Sequence, residues 1–109
     1  MSSRPAKPSR LREAALADID DAIDYYLLEA PHMVPAFEKA VLRARAHVEK
    51  QPGTGSPRYN SPESTGTMRF WLLGQFPYAI FYFERDDYIE IIRVLHQVGN
   101  IPAHLQSQF

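Results

Sequence analysis

Arg69, Arg93 and His96 are the residues whose types suit a reaction. A guanidinium can grip a phosphate with a bidentate fork, and an imidazole titrates close enough to neutrality to move a proton. Metal-free cleavage of RNA needs such a set: a base for the 2′-hydroxyl, an acid for the leaving oxygen and a cation for the charge that develops. Alternating apolar residues in the C-terminal half put Arg69, Arg85 and Arg93 on or near adjacent strands. The same residues also suit structural duty. Arg69 and Arg93 are flanked by apolar neighbours, so their stems can lie over hydrophobic surface and their heads can pair with Glu84 or Glu90 across the sheet. His96, at a strand end, can donate to a backbone carbonyl. Trp71, Tyr78, Tyr82 and Tyr88 are ordinary occupants of a half-buried sheet.

Beyond His96 the chain turns polar in "LHQVGNIPAHL", Leu95 to Leu105. This stretch is expected to end the sheet, turn at Gly99 and Asn100 and dock through Leu105. It would present a ledge for binding, with Arg93, His96, Gln97 and Asn100 as the target-binding candidates.

Other chemistries are poorly served. The histidines, at 32, 47, 96 and 104, are scattered over different elements, and no pair sits at i, i+4 on one helix, so no metal site is expected. "PGTGSP" has glycines but follows a helix and is trailed by proline, which is turn chemistry and not a phosphate loop. No serine elbow is present. The absence of cysteine excludes a disulfide framework, thiolate catalysis and cysteine-zinc sites, and fits a reducing compartment. Twelve basic against thirteen acidic side chains leave a formal charge of -1, so no global field draws the chain onto nucleic acid. "MSSRPAKPSR" lacks a following apolar segment and the longest hydrophobic runs are too short to cross a bilayer, so a cytoplasmic protein is expected. No cofactor is expected.

The elements that must position these residues are legible in outline. Residues 1–9 read as a loose terminus and residues 10–109 as a single domain, with Arg10 to Arg12 able to add a short edge strand. From Glu13, Ala15, Ile19, Ala22, Ile23 and Tyr26 recur on one helical face, with Asp18, Asp20, Asp21 and Asp24 mostly away from it, until Pro31. Pro35 suits the first turn of a second helix. Phe37, Val41, Ala44 and Val48 form its apolar stripe, Lys39, Arg43, Arg45, His47 and Lys50 its charge, and "QPGTG" stops it. Two helices so close in sequence predict an antiparallel hairpin. Residues 52–66 sustain neither period and read as a long loop. After Gly66 the period becomes two: Met68, Phe70 and Leu72 take one face, Arg69, Trp71 and Leu73 the other, and "YAIFYFE" and "YIEIIRVLH" complete an antiparallel meander. The fold class is therefore α+β: a helical hairpin packed on a small antiparallel sheet, followed by a polar tail. Both faces of the strands are apolar, more than one helix layer requires, and a partner protein is the expected cover of the second face.

This order and spacing resemble the ParE/RelE toxin superfamily of bacterial toxin-antitoxin modules, ParE most closely. The resemblance covers nearly the whole chain from about residue 10. It rests on Ala15, Asp18 and Ile19 in "ALADIDDAIDYY", Pro52 and Gly53, Arg69, Pro77, Tyr78 and Tyr82, and Arg93 to His96 in "IEIIRVLHQVGNIPAHL". It implies a small toxin neutralised by a cognate antitoxin, of the ribbon-helix-helix DNA-binding type. A disordered antitoxin segment would fold over a hydrophobic groove on the toxin, and Tyr26, Phe37, Trp71 and Tyr82 are the groove candidates. ParE-like members poison DNA gyrase by binding and catalyse no reaction. RelE-like members cleave messenger RNA on the ribosome, which would make Arg69, Arg93 and His96 catalytic. An inactive member serving as a binding subunit is a third possibility. The strongly basic, lysine-rich surface of RelE-like members is missing here: no lysine follows Lys50 and the net charge is negative.

Overall fold

The computed structural model describes residues 5–61 and 65–97. The chain runs β1 (Ser9–Leu11), α1 (Glu13–Glu29), α2 (Val34–Lys50), β2 (Met68–Leu72), β3 (Tyr78–Glu84) and β4 (Ile89–His96). Single 3-10 turns at Pro31–Met33 and Pro52–Thr54 follow the two helices.

Both helices stop for the same reason. A residue before proline is driven out of the α region. Ala30, at φ −158° and ψ 72°, precedes Pro31, and Gln51, at φ −135° and ψ 64°, precedes Pro52. Each of these residues still donates its N–H to the last turn, Ala30 to Tyr26 and Gln51 to His47. Pro35 lies in the first turn of α2, where its missing donor costs nothing. His47 and Lys50 place cationic or polarisable groups at the negative end of that helix.

The strands form one sheet in the order β1-β4-β3-β2. β2, β3 and β4 make the expected antiparallel meander. β1 joins it parallel to β4, Ser9 opposite Ile89 and Leu11 opposite Ile91, so the sheet is four-stranded and mixed. Lys7 to Ser9, which the sequence assigns to a loose terminus, are tied down. The Lys7 N–H donates to the Glu49 carbonyl, the Pro8 carbonyl accepts from Ile89, and Lys7 Nζ meets Glu84 at 2.7 Å.

A bulge sets the faces of β4. Phe81 is opposite Arg93 and Tyr82 is opposite Ile91, which leaves Ile92 as the extra residue. Ile89 and Ile91 face the helices, and after the bulge it is Val94, not Arg93, that joins them. Ile92 and Leu95 lie in the opposite cluster. Without that slip, strict alternation would bury Arg93 among the helices.

Two apolar clusters result. The larger one packs Ala15, Ala22, Phe37, Val41 and Val48 of the helices on Ile80, Tyr82, Ile89, Ile91 and Val94. On the other face Met68, Phe81, Phe83 and Ile92 are at most 2 % exposed, with Tyr59 and Phe70 packed against them. The expectation that a partner must cover this second face is therefore corrected: the chain closes it itself. Tyr59, from the long loop, stacks obliquely on Phe70 and Phe81 at 5.6 and 6.1 Å. Each large side chain hidden this way contributes on the order of 1.5–3 kcal/mol, which a loop of 15 residues otherwise dominated by proline, glycine and polar types gains through one aromatic ring.

Candidate partner-binding groove

Two of the residues that suggested RNA chemistry, Arg93 and Arg69, make hydrogen bonds that hold the fold. Arg93 Nε and Nη2 donate to the two carboxylate oxygens of Asp18 at 2.7 and 2.8 Å, and the Val94 N–H donates to Asp18 Oδ2 at 2.9 Å. Asp18, which the helical pattern placed away from the core face, thus reaches the edge of β4 just beyond the point where β1 ends. The Asp18 hydrogen bond raises the Arg93 guanidinium above its ordinary value, against the opposing effect of burial. Arg69 Nη1 donates to the Gly55 carbonyl at 2.9 Å. The carboxylates expected to pair with Arg69 and Arg93 are instead held elsewhere. Glu84 meets Lys7. Glu90 accepts from Arg12 at 2.9 Å and Arg85 at 2.8 Å. Burial pushes the Glu90 carboxyl up, but the hydrogen bonds from Arg12 and Arg85 outweigh it and hold the group below its ordinary value.

His96 sits edge-on to Tyr78, its cross-strand neighbour, with ring centroids 5.0 Å apart. Gln97 is exposed and its N–H donates to the Pro77 carbonyl. His96 ends β4 and Gln97 follows it. Arg93 is turned toward Asp18. Asn100, Gly99, His104 and Leu105 lie outside the described residues.

Of the four groove candidates, Phe37 and Tyr82 are fully buried and cannot line an open surface. Tyr82 donates its hydroxyl to the Pro52 carbonyl at 2.7 Å, and burial raises its phenol. Gly55 lies against that hydroxyl so closely that any Cβ there would run into it. Tyr26 is half-buried in an aromatic cluster with Phe37, Phe76 and Tyr78, at centroid distances of 5.4 to 6.4 Å. Trp71 lines a groove.

That groove runs between α2 and β2 and encloses about 780 Å³. Its floor is a stripe of small residues, Ala36, Ala40 and Ala44, at helical spacing, and its wall is Trp71, Leu72 and Leu73. Lys39 and Arg43 stand on its rim. Trp71 is held in place by His47, whose ring stacks on it at 3.8 Å and 13°. Thr54 Oγ1 donates to the Gln51 carbonyl, so it accepts from His47 Nε2, 2.7 Å away, which assigns the proton to that nitrogen. The sequence pointed to Trp71 for a groove and to Lys39 and Arg43 only as charge on the second helix. The available signal was the alanine at every fourth position beside them.

Among the described residues no group of three histidine, aspartate or glutamate side chains could hold a metal ion. Among them, too, no helix is long and apolar enough to cross a membrane.

Fold and groove together define a small α+β domain whose accessible feature is a cleft beside a sheet edge. The sequence matches the family model described as ParE toxin of type II toxin-antitoxin system, parDE, over residues 10–100, and the chain belongs to that family. A solved structure, that of a chromosomal ParDE TA system from P. aeruginosa, has a similar fold. It superposes with a TM-score of 0.67 at 16 % identity, covering 85 % of this chain and 98 % of that one. No curated protein matches the sequence.

Proposed function

We propose that this ParE-family toxin arrests growth by binding DNA gyrase, catalyses no reaction of its own, and is neutralised by a cognate antitoxin of the ribbon-helix-helix type. Family membership supports the target, and the ParDE pairing of the structural neighbour supports the antitoxin. The observation that supports the non-catalytic reading is the commitment of Arg93 to Asp18 through two hydrogen bonds. A phosphate-gripping guanidinium must have donors to spare, and breaking a largely buried ion pair to free one costs several kcal/mol. The ribonuclease alternative therefore loses Arg93 to the scaffold, and Arg69 keeps only the donors that the Gly55 carbonyl does not take. His96 and Gln97 are offered as target contacts, and the groove walled by Trp71 as the antitoxin site.

The test is a supercoiling assay with the purified chain. Loss of gyrase activity with rising toxin is the expected result. Untouched supercoiling in a protein that still arrests cells, together with messenger RNA ends cut within codons, would replace this reading with the ribonuclease one.

A further inference from the structure

The two helices differ in charge. α1 holds six carboxylates and no basic residue, whereas α2 sets Lys39, Arg43, Arg45 and Lys50 against Glu38 and Glu49. Part of this charge is spent on the sheet: Asp18 turns to Arg93, and Arg45 and Glu49 turn to Ser9. The rest is left outside. Glu13, Asp20 and Asp24 of α1 and Lys39, Arg43 and Lys50 of α2 are exposed, and none of them forms an ion pair among the described residues.

The same outward side of the hairpin exposes apolar bulk. Leu16 and Leu27 of α1 are 49 % and 54 % exposed, and Leu42 of α2 is 62 % exposed. Their placement follows from helical spacing and from what the opposite flanks touch. Asp18 marks the flank of α1 that meets the β4 edge, and Leu16 and Leu27, three turns apart, project from the other flank, which faces α2. Leu42 lies one turn before Arg45 and two before Glu49, on the flank of α2 that reaches Ser9 and away from the groove beside β2. A leucine strip thus follows the seam of the hairpin, with an acidic margin on α1 and a basic margin on α2.

The margins match level by level. Tyr26 meets Phe37 beside the turn, and Arg45 and Glu49 reach Ser9 just before α1 begins, so the helices are antiparallel. Each is 17 residues long. Glu13 therefore stands level with Lys50, Asp20 with Arg43 and Asp24 with Lys39, on opposite margins with the leucines between them. Within one chain these charges are held apart. A twofold rotation about an axis along the strip lays α1 of one copy over α2 of the other, which sets acid against base on both margins. It also places Leu42 of each copy between the levels of Leu16 and Leu27 of the other. An axis across the strip would stack acid on acid.

We propose that this outward face of the helical hairpin is a self-association surface, through which two copies of the chain pair with the acidic margin of each against the basic margin of the other. The proposal is independent of the gyrase and antitoxin readings. Two helices of this length side by side span about 25 Å by 20 Å, a footprint of about 500 Å². Stable complexes bury about 800 Å² per partner, so the dimer is reversible, with a Kd on the order of 10–100 µM.

Sedimentation equilibrium of the full chain from about 5 to 500 µM reads the association directly. Leu42→Asp is expected to weaken it at least about tenfold. Asp20→Lys with Asp24→Lys, and separately Lys39→Glu with Arg43→Glu, should each weaken it about tenfold. All four changes in one chain restore opposed margins and leave the formal charge at -1, so this variant should return to within about threefold of the parent. A parent that stays monomeric throughout overturns the proposal. So does a dimer that survives Leu42→Asp and both reversals, or a fourfold variant as weak as the double ones. Should a reversal variant not fold, Leu42→Asp, at an exposed site, still decides.

Discussion

Asp18 of α1 clamps Arg93 of β4 through two hydrogen bonds and, with the same carboxylate, seals the Val94 N–H at the sheet edge. One side chain therefore does the work of the strand that β1 is too short to supply. It also determines that a guanidinium which alternation alone would have sent into the core is instead drawn over the edge and held there.

The clamp should be worth more on the aspartate side than on the arginine side. Asp18→Ala strands both the guanidinium and the Val94 N–H, and is expected to cost about 3–5 kcal/mol. Arg93→Ala leaves the Val94 contact in place and should cost less. The double variant should be distinctly less damaging than the sum of the two, because the residues share one interaction. Urea unfolding midpoints of the three variants measure this, and strict additivity would show that the pair is not coupled.

Gly55 is expected to tolerate no side chain. A Cβ there meets the Tyr82 hydroxyl and the Phe70 carbonyl, so Gly55→Ala should cost about 1–3 kcal/mol through forced displacement of the loop. Tyr82→Phe in the same chain removes the obstructing oxygen and should recover part of the loss, although the Pro52 carbonyl then loses its donor. Thermal melting of the single and double variants reads the recovery.

Glu90 should shape the acid limb of stability. Its folded value is held below the ordinary 4.5, so its contribution is fully present above 4.5 and is lost as pH falls through the lower folded value. Glu90→Gln should therefore flatten the decline in urea midpoint between about pH 5 and pH 3. An unchanged slope in that window would mean that Arg12 and Arg85 do not favour the ionised carboxylate.

His96 and Gln97 are the members of the proposed ledge at the described end of β4. His96→Ala and Gln97→Ala are expected to leave the unfolding midpoint within about 1 kcal/mol of the parent while weakening gyrase inhibition several-fold. Arg93→Ala should weaken inhibition only in proportion to the stability it loses. Full inhibition by the His96 and Gln97 variants would move the target contact to another surface.

Much of this architecture is written in local pattern. The helical stripe of Ala15, Ile19, Ala22 and Tyr26, the stops before Pro31 and Pro52, and the alternation from Met68 onward each depend on residues within a few positions of one another. Periodicity and proline chemistry suffice for them. The same holds for the resemblance to ParE, which rests on their order. The parallel docking of β1 was less accessible, since its three residues carry no period and their partner lies 80 positions away.

The sequence by itself determined that the chain forms two helices and a meander, lacks cysteine chemistry and carries no net positive charge that would draw it as a whole onto nucleic acid. Only the tertiary structure decided which polar residues remain available. The bulge at Ile92 and the reach of Asp18 took Arg93 out of circulation, and the packing of α2 beside β2 left Lys39 and Arg43 with no ion pair among the described residues. The reason is physical: a local period fixes which face a side chain occupies, whereas the partner it meets depends on contacts between segments some 75 residues apart, which no local pattern encodes.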